Sequence, residues 1–232
     1  RFGRPFRPER LARVQASPHY INGRFECLTP VRVMEGNEES FLTGWLKYFL
    51  EDKTGRTPDV PLPSKKTDLW AQCQDEDFAV WMGHSSFYLQ IAGRRILIDP
   101  VFSSYASPVF FANRAFPGSN VYTAADIPKV DILIMSHDHW DHLDYPTILS
   151  LKDKIRDIVC PLGVGEYFEA WGFAPEQLHE EDWDTDIEVY PDFHVHVLPS
   201  QHFSGRLLTQ NATQWASFAI VTPQRKAYYS GD

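Results

Sequence analysis

Residues 131–145 read DILIMSHDHWDHLDY. An apolar run, residues 132–135, is followed at once by His137, Asp138, His139, Asp141 and His142, three imidazoles and two carboxylates within six positions. A short apolar run of this kind reads as a buried strand. Polar residues delivered just past the carboxyl end of such a strand lie where α/β proteins bind ligands. The stretch therefore predicts both a layered α/β fold and a site.

Reading outward supports that architecture. Upstream, FAVWM (78–82), SFYLQI (86–91) and RRILID (94–99) form three consecutive strands, the last two joined by a tight turn at Ala92-Gly93. An aromatic loop, 100–120, precedes the central strand. Downstream the pattern predicts a helix over 146–156, a strand over 158–162 and a helix over 165–172. Strands follow over 187–190, 193–198, 216–221 and 226–229. Strands, then strand–helix units, then strands again predict helices outside packed sheets.

The bulk composition sets limits. The chain has 232 residues, 43% hydrophobic and 14% aromatic, enough for a packed core. Its net charge of −9 opposes broad nucleic-acid binding, and no nucleic-acid partner is expected. No stretch reaches the roughly 18 apolar residues of a membrane-crossing helix. Cys27, Cys73 and Cys160 are widely spaced and include no CxxC pair, so neither a disulfide framework nor a thiolate zinc site is indicated.

Residues 1–75 read as an N-terminal arm and 76–232 as the main domain. Arg1, Arg4, Arg7, Arg10 and Arg13 recur every third residue around Pro5 and Pro8. In a polyproline-II segment they share one face, either to meet an anionic surface or as a solvated tail. Phe41, Leu42, Trp45, Leu46, Phe49 and Leu50 repeat as an amphipathic helix of about three turns. That helix docks on the main domain or faces lipid or a partner, which leaves peripheral membrane contact through the arm as an expectation. Pro58, Pro61 and Pro63 mark a linker.

The histidine cluster has the chemistry of a metal centre. Nitrogen and oxygen donors without thiolate suit zinc, with manganese or iron as alternatives. A compact loop can aim His137 and His139 at one cation and Asp141 with His142 at a second. So many donors point to two divalent ions sharing an activated water. Phe193-His194-Val195-His196 provides an internal control. It repeats the HxH spacing within an alternating strand, lacks the Asp-His that follows, and reads as a solvent-side face. His19, Asp131 and His179 read as structural.

SHDHWDH, with GHSSFYLQIAGRRILIDP upstream and PSQH and SGD downstream, resembles the metallo-β-lactamase superfamily. WMGHSSFYLQ, IDPVFSSYASP, SHDHWDHLDY, CPLG and PSQHF narrow the resemblance to N-acylphosphatidylethanolamine phospholipase D and its bacterial relatives. It runs through most of 77–232 and fades over 172–192. The resemblance implies an αββα sandwich and two divalent cations. By it, His137, His139 and His202 ligate the first metal, Asp141 and His142 the second, and Asp232 bridges both. It makes Asp99 a carboxylate that orients a ligand imidazole, and has His84 line or support the site. The implied reaction is phosphodiester hydrolysis, releasing phosphatidic acid and an N-acylethanolamine. The loop residues Phe102, Tyr105, Phe110, Phe111 and Phe116 either receive acyl chains or pack in the core. A lactonase or other small-molecule hydrolase, and a metal-holding module without turnover, are the competing readings. The sequence sets no oligomeric state.

The chain from Phe78 onward is short for two αββα halves, and no histidine follows His202. The sequence is accordingly expected to be the leading part of a longer protein. One face of its second sheet would be uncovered, and its second metal would be short of one ligand unless another segment supplies it.

Overall fold

The computed structural model describes residues 3–29, 50–52, 54–73, 75–109, 113–206 and 209–232. The chain opens with helix α1 (Pro8–Ala16) and a small hairpin, β1 (Tyr20–Ile21) with β2 (Arg24–Phe25). The antiparallel meander β3 (Phe78–Gly83), β4 (Ser86–Ile91) and β5 (Arg94–Ile98) follows as the alternation predicts. Ala92 and Gly93 both take positive φ (50° and 72°), the conformation of a two-residue hairpin turn.

The chain then switches to parallel crossovers. β6 (Val130–Ile134) pairs with β5, β7 (Ile155–Pro161) with β6, and β8 (Leu178–Glu181) with β7, all parallel. Helix α2 (Tyr145–Leu151), with proline in its first turn, and helix α3 (Gly165–Ala170) lie in those crossovers. A second sheet is antiparallel throughout, in the order β12 (Lys226–Tyr229), β11 (Ser217–Val221), β10 (Phe193–Leu198), β9 (Thr185–Tyr190).

The six-stranded sheet is buried on both faces, which is why its central strands are apolar without alternation. Ile96, Ile98, Ile132, Ile134 and Val159 face the second sheet and pack with Val195, Val197, Phe218 and Ile220. Leu97, Leu133, Ile158 and Cys160 point the other way, onto Ile148 and Leu151 of α2 and Phe168 of α3. Helices on one side and a second sheet on the other make the sandwich. The outer face of the second sheet carries Asp186, Glu188, His194, His196 and Tyr228, all half-buried or exposed, and it lies open among the described residues.

The polyproline reading of the arginine strip is corrected for Arg10 and Arg13, whereas Arg7 just before the helix keeps extended backbone (φ −61°, ψ 151°) and Arg1 lies outside the described residues. Pro8 begins an α-helix, with Glu9 in its first turn and Arg13 in its last, where each charge suits the helix dipole. A three-residue repeat fits one helical face as well as one polyproline face. The anionic surface it meets belongs to the same chain. Arg10 is buried and binds Glu166, Glu169 and Glu180 at 2.7–2.8 Å. Arg7 binds Glu169, and Arg4 binds Glu166. Burial opposes the Arg10 charge, but those carboxylates hold it above the ordinary guanidinium range. Of the expected amphipathic helix, Phe41, Leu42, Trp45, Leu46 and Phe49 lie outside the described residues.

Candidate metal centre

Strand ends deliver the predicted residues to one edge of the sandwich. Asp99 follows directly on β5, and residues 136–142 follow β6. His202 follows β10, Asp232 follows β12, and His84 sits in the β3–β4 turn. Asp99 (φ 39°) and His84 (φ 45°) both hold left-handed backbone, a conformation that costs free energy and clusters at functional sites.

Two groups of donors result. In the first, His137 Nε2 lies 2.8 Å from His139 Nδ1, and His202 Nε2 lies 3.1 Å from both. Nitrogens about 2.0–2.1 Å from one tetrahedral cation are about 3.3 Å apart, close to this triangle. Burial holds His137 well below the ordinary imidazole range, lowers His139, and brings His202 down to about 4. Imidazoles that burial keeps from charging and that converge on one point fit a metal ion.

The second group is His84, Asp141 and His142, whose donor atoms also lie close enough to share an ion. His84 Nε2 is 3.1 Å from Asp141 Oδ2. Burial would raise the Asp141 carboxyl, but the His84 bond and the nearby His142 charge bring it to about 2. Asp232 Oδ2 stands between the groups, 3.0 Å from His142 Nε2 and 3.8 Å from His202 Nε2. Its carboxyl is lowered chiefly by the His142 bond. His142 is raised to about 10: burial opposes this, but bonds to Asp232 and Asp99 win. The pair His142–Asp232 thus holds a proton that a cation would displace.

Asp99 is fully buried and makes four contacts at the floor of the site. It accepts from Ser136 N at 2.8 Å, from the Ser136 hydroxyl, from Tyr229 OH at 2.7 Å, and meets His142 Nδ1 at 2.7 Å. This is the kind of carboxylate that fixes the tautomer and orientation of a ligand imidazole. Sequence reasoning named Asp99 and missed its partners Ser136 and Tyr229. It also missed Cys27, whose thiol donates to the His202 carbonyl at 3.2 Å, and Phe203, whose ring packs 4.7 Å from His139. Cys27 carried no local signal; only the tertiary fold brings it to residue 202.

The control histidines behave as read. His194 pairs with Asp186 at 3.0 Å, and His196 lies 3.7 Å from the same carboxylate on the open sheet face. His179 pairs with Asp157, His19 packs on Trp183, and Asp131 accepts from Arg95 N. A cavity of about 470 Å³ borders His84 and Asp141 and is walled by Trp81, Met82, Val101 and Phe116. The aromatic loop divides: Phe116 lines this cavity, Phe102 packs against the sheet–helix core, and Phe110 and Phe111 lie outside the described residues.

Comparison with known proteins assigns the family. A family described as the beta-lactamase superfamily domain matches residues 94–232. The chain belongs to the metallo-β-lactamase superfamily. It is 36% identical over 222 residues to an uncharacterised protein of Mycobacterium tuberculosis, covering 94% of this chain and 58% of that one. It is 29% identical over 165 residues to N-acyl-phosphatidylethanolamine-hydrolyzing phospholipase D 1 of Caenorhabditis elegans, covering 67% and 46%. The chain thus spans only about half the length of these relatives. Among solved structures, CmlA, a diiron beta-hydroxylase from Streptomyces venezuelae, superposes with a TM-score of 0.51 at 23% identity, over 67% of this chain and 29% of that one. At that identity the match speaks for the superfamily fold alone.

Proposed function

We propose that the protein is a metal-dependent phosphodiesterase acting on a phospholipid-like substrate, of the N-acylphosphatidylethanolamine phospholipase D type. Residues 76–232 would be the catalytic unit and 1–75 an arm. The observation that carries the reading is Asp232 standing between two donor groups, the second of which borders an apolar cavity through His84 and Asp141. His137, His139 and His202 would hold one divalent cation, and Asp141 and His142 the other, with Asp232 between them. His84 is the further donor on the second side, the place where the sequence left a ligand wanting. Zinc suits these donors, and a diiron relative of the same fold keeps iron in view. When bound, such a pair of ions neutralises phosphate charge and lowers the pKa of a shared water towards neutrality.

The chain's own residues supply the rest. Asp99 fixes the His142 ring, so His142 presents Nε2 towards Asp232. Asp141 borders the cavity and Asp232 lies against His142, both as carboxylates that can accept a proton there. Met82, Val101 and Phe116 give an acyl chain an apolar wall next to the donors. Membrane contact through the arm now rests on residues 41–50, since Arg4, Arg7 and Arg10 are engaged within the chain.

A side-by-side assay tests the reading. With zinc or manganese restored, vesicles containing N-acylphosphatidylethanolamine should yield N-acylethanolamine, and soluble lactones should be turned over poorly. Lactone hydrolysis without phospholipid cleavage would replace this reading with the lactonase one.

A further inference from the structure

We propose that Arg206 is the positioning residue of the metal-binding loop, locking residues 138–143 against the segment that carries His202. The inference rests on the metal reading above. Arg206 is 97% hidden, yet it lies four residues past His202 and belongs to no strand or helix. Its Nε donates to the Asp138 carbonyl at 2.6 Å, and its Nη2 donates to the Leu143 carbonyl. Those carbonyls mark the two ends of the loop whose interior supplies His139, Asp141 and His142. The guanidinium plane also lies 4.2 Å from the Trp140 ring centre and 5.0 Å from that of Tyr167. One planar fork therefore holds both ends of the loop and its middle.

The neighbours of Arg206 complete the lock. Gly205 N donates to Asp138 Oδ1 at 2.6 Å, and Tyr167 OH donates to Asp138 Oδ2 at 2.8 Å. Gly205 has φ 134°, and a Cβ there would meet the Thr209 carbonyl at 2.0 Å, so only glycine brings this amide to Asp138. Within the loop, His139 O accepts from His142 N and Leu143 N, so a shift at either end moves all three donors together. Arginine is required because two carbonyls and two ring faces need a rigid, planar set of donors, which an ammonium does not offer. A metal triangle held to about 3 Å tolerates little such movement, and outer partners of metal ligands typically govern affinity.

The test compares the parent protein with Arg206→Lys and Trp140→Leu. Zinc affinity is read by competition with a chromogenic chelator, and melting midpoints are taken with and without zinc. Arg206→Lys keeps the charge and loses the fork, and zinc affinity should fall about 10–100-fold. The zinc-induced rise in melting midpoint should shrink with it. Trp140→Leu removes the stacking platform while leaving the buried charge in place, so it reports even where Arg206→Lys does not fold, and it should weaken zinc in the same direction. Parent-like zinc affinity in the folded variants, with only the metal-free midpoint lowered, would make Arg206 a structural residue and overturn the inference. Parent protein that takes up no zinc, manganese or iron would overturn the metal reading itself.

Discussion

Arg10→Ala should destabilise the protein far more than its place in a terminal helix suggests. Its side chain is 9% exposed, and those of Glu166 and Glu180 are 2% exposed. Removing one partner of a buried ion pair costs about 3–5 kcal/mol, because the other charge stays buried without its partner. Here the carboxylates keep some company: Glu166 retains Arg4 and the Arg7 amide, and Glu180 retains the Gly163 and Gly165 amides. That places the loss at the low end, about 3 kcal/mol, or about 6–12 °C of melting midpoint for a chain of this size. Urea unfolding at pH 7, with Arg10→Ala, Glu180→Ala and the double variant, measures both the loss and the coupling. The loss should also shrink in acid. Against burial, Arg4 and Arg10 hold the Glu166 carboxyl below its usual 4.5, so its contribution is present above that value and lost as pH falls through the folded pKa. A loss under about 1 kcal/mol at neutral pH would mean that these ion pairs do not hold α1 in place and leave it a loosely laid strip.

Two further outcomes follow from the site. His196→Ala should leave metal content unchanged, because its HxH lies on the open sheet face beside Asp186; a loss of metal measured by mass spectrometry would mean that the wrong HxH has been chosen. Metal-free protein should be most stable near pH 6–7. Below about 6.5 the unfolded chain takes up protons that buried His137, His139 and His202 refuse, so stability falls with acid. Above about 6.5 the stability from His142, charged up to about 10, is progressively lost as pH rises. Melting of chelator-treated protein from pH 4 to 10 should show this maximum, and a midpoint still climbing at either extreme would contradict it.

Local patterns made much of the sandwich legible. The strands over 78–98 and 130–134 could be read because a both-faces-buried strand leaves an apolar run and an exposed face leaves alternation. β8 was not legible: Leu178-His179-Glu180-Glu181 reads as polar, and Glu180 turns inward only because Arg10 and two backbone amides meet it there. α1 was misread because the spacing of its arginines suits two helix types and only the distant glutamates decide between them. The β1–β2 hairpin was missed although Asn22-Gly23 is a strong turn signal. At the site, the ligand loop is contiguous in sequence and so could be named outright. Tyr229 reaches Asp99 across 130 residues and Arg206 reaches Leu143 across 63, contacts that no spacing encodes.

His137, His139, His202, Asp141, His142 and Asp232 are proposed to form one centre for two cations. Metal content per chain, measured after loading with zinc and exhaustive dialysis, tests it most directly. The parent should hold about two ions, with a clear loss in both His137→Ala and Asp141→Ala and the fold retained by circular dichroism. Two ions still bound in both variants, or none in the parent with any of zinc, manganese or iron, would contradict it.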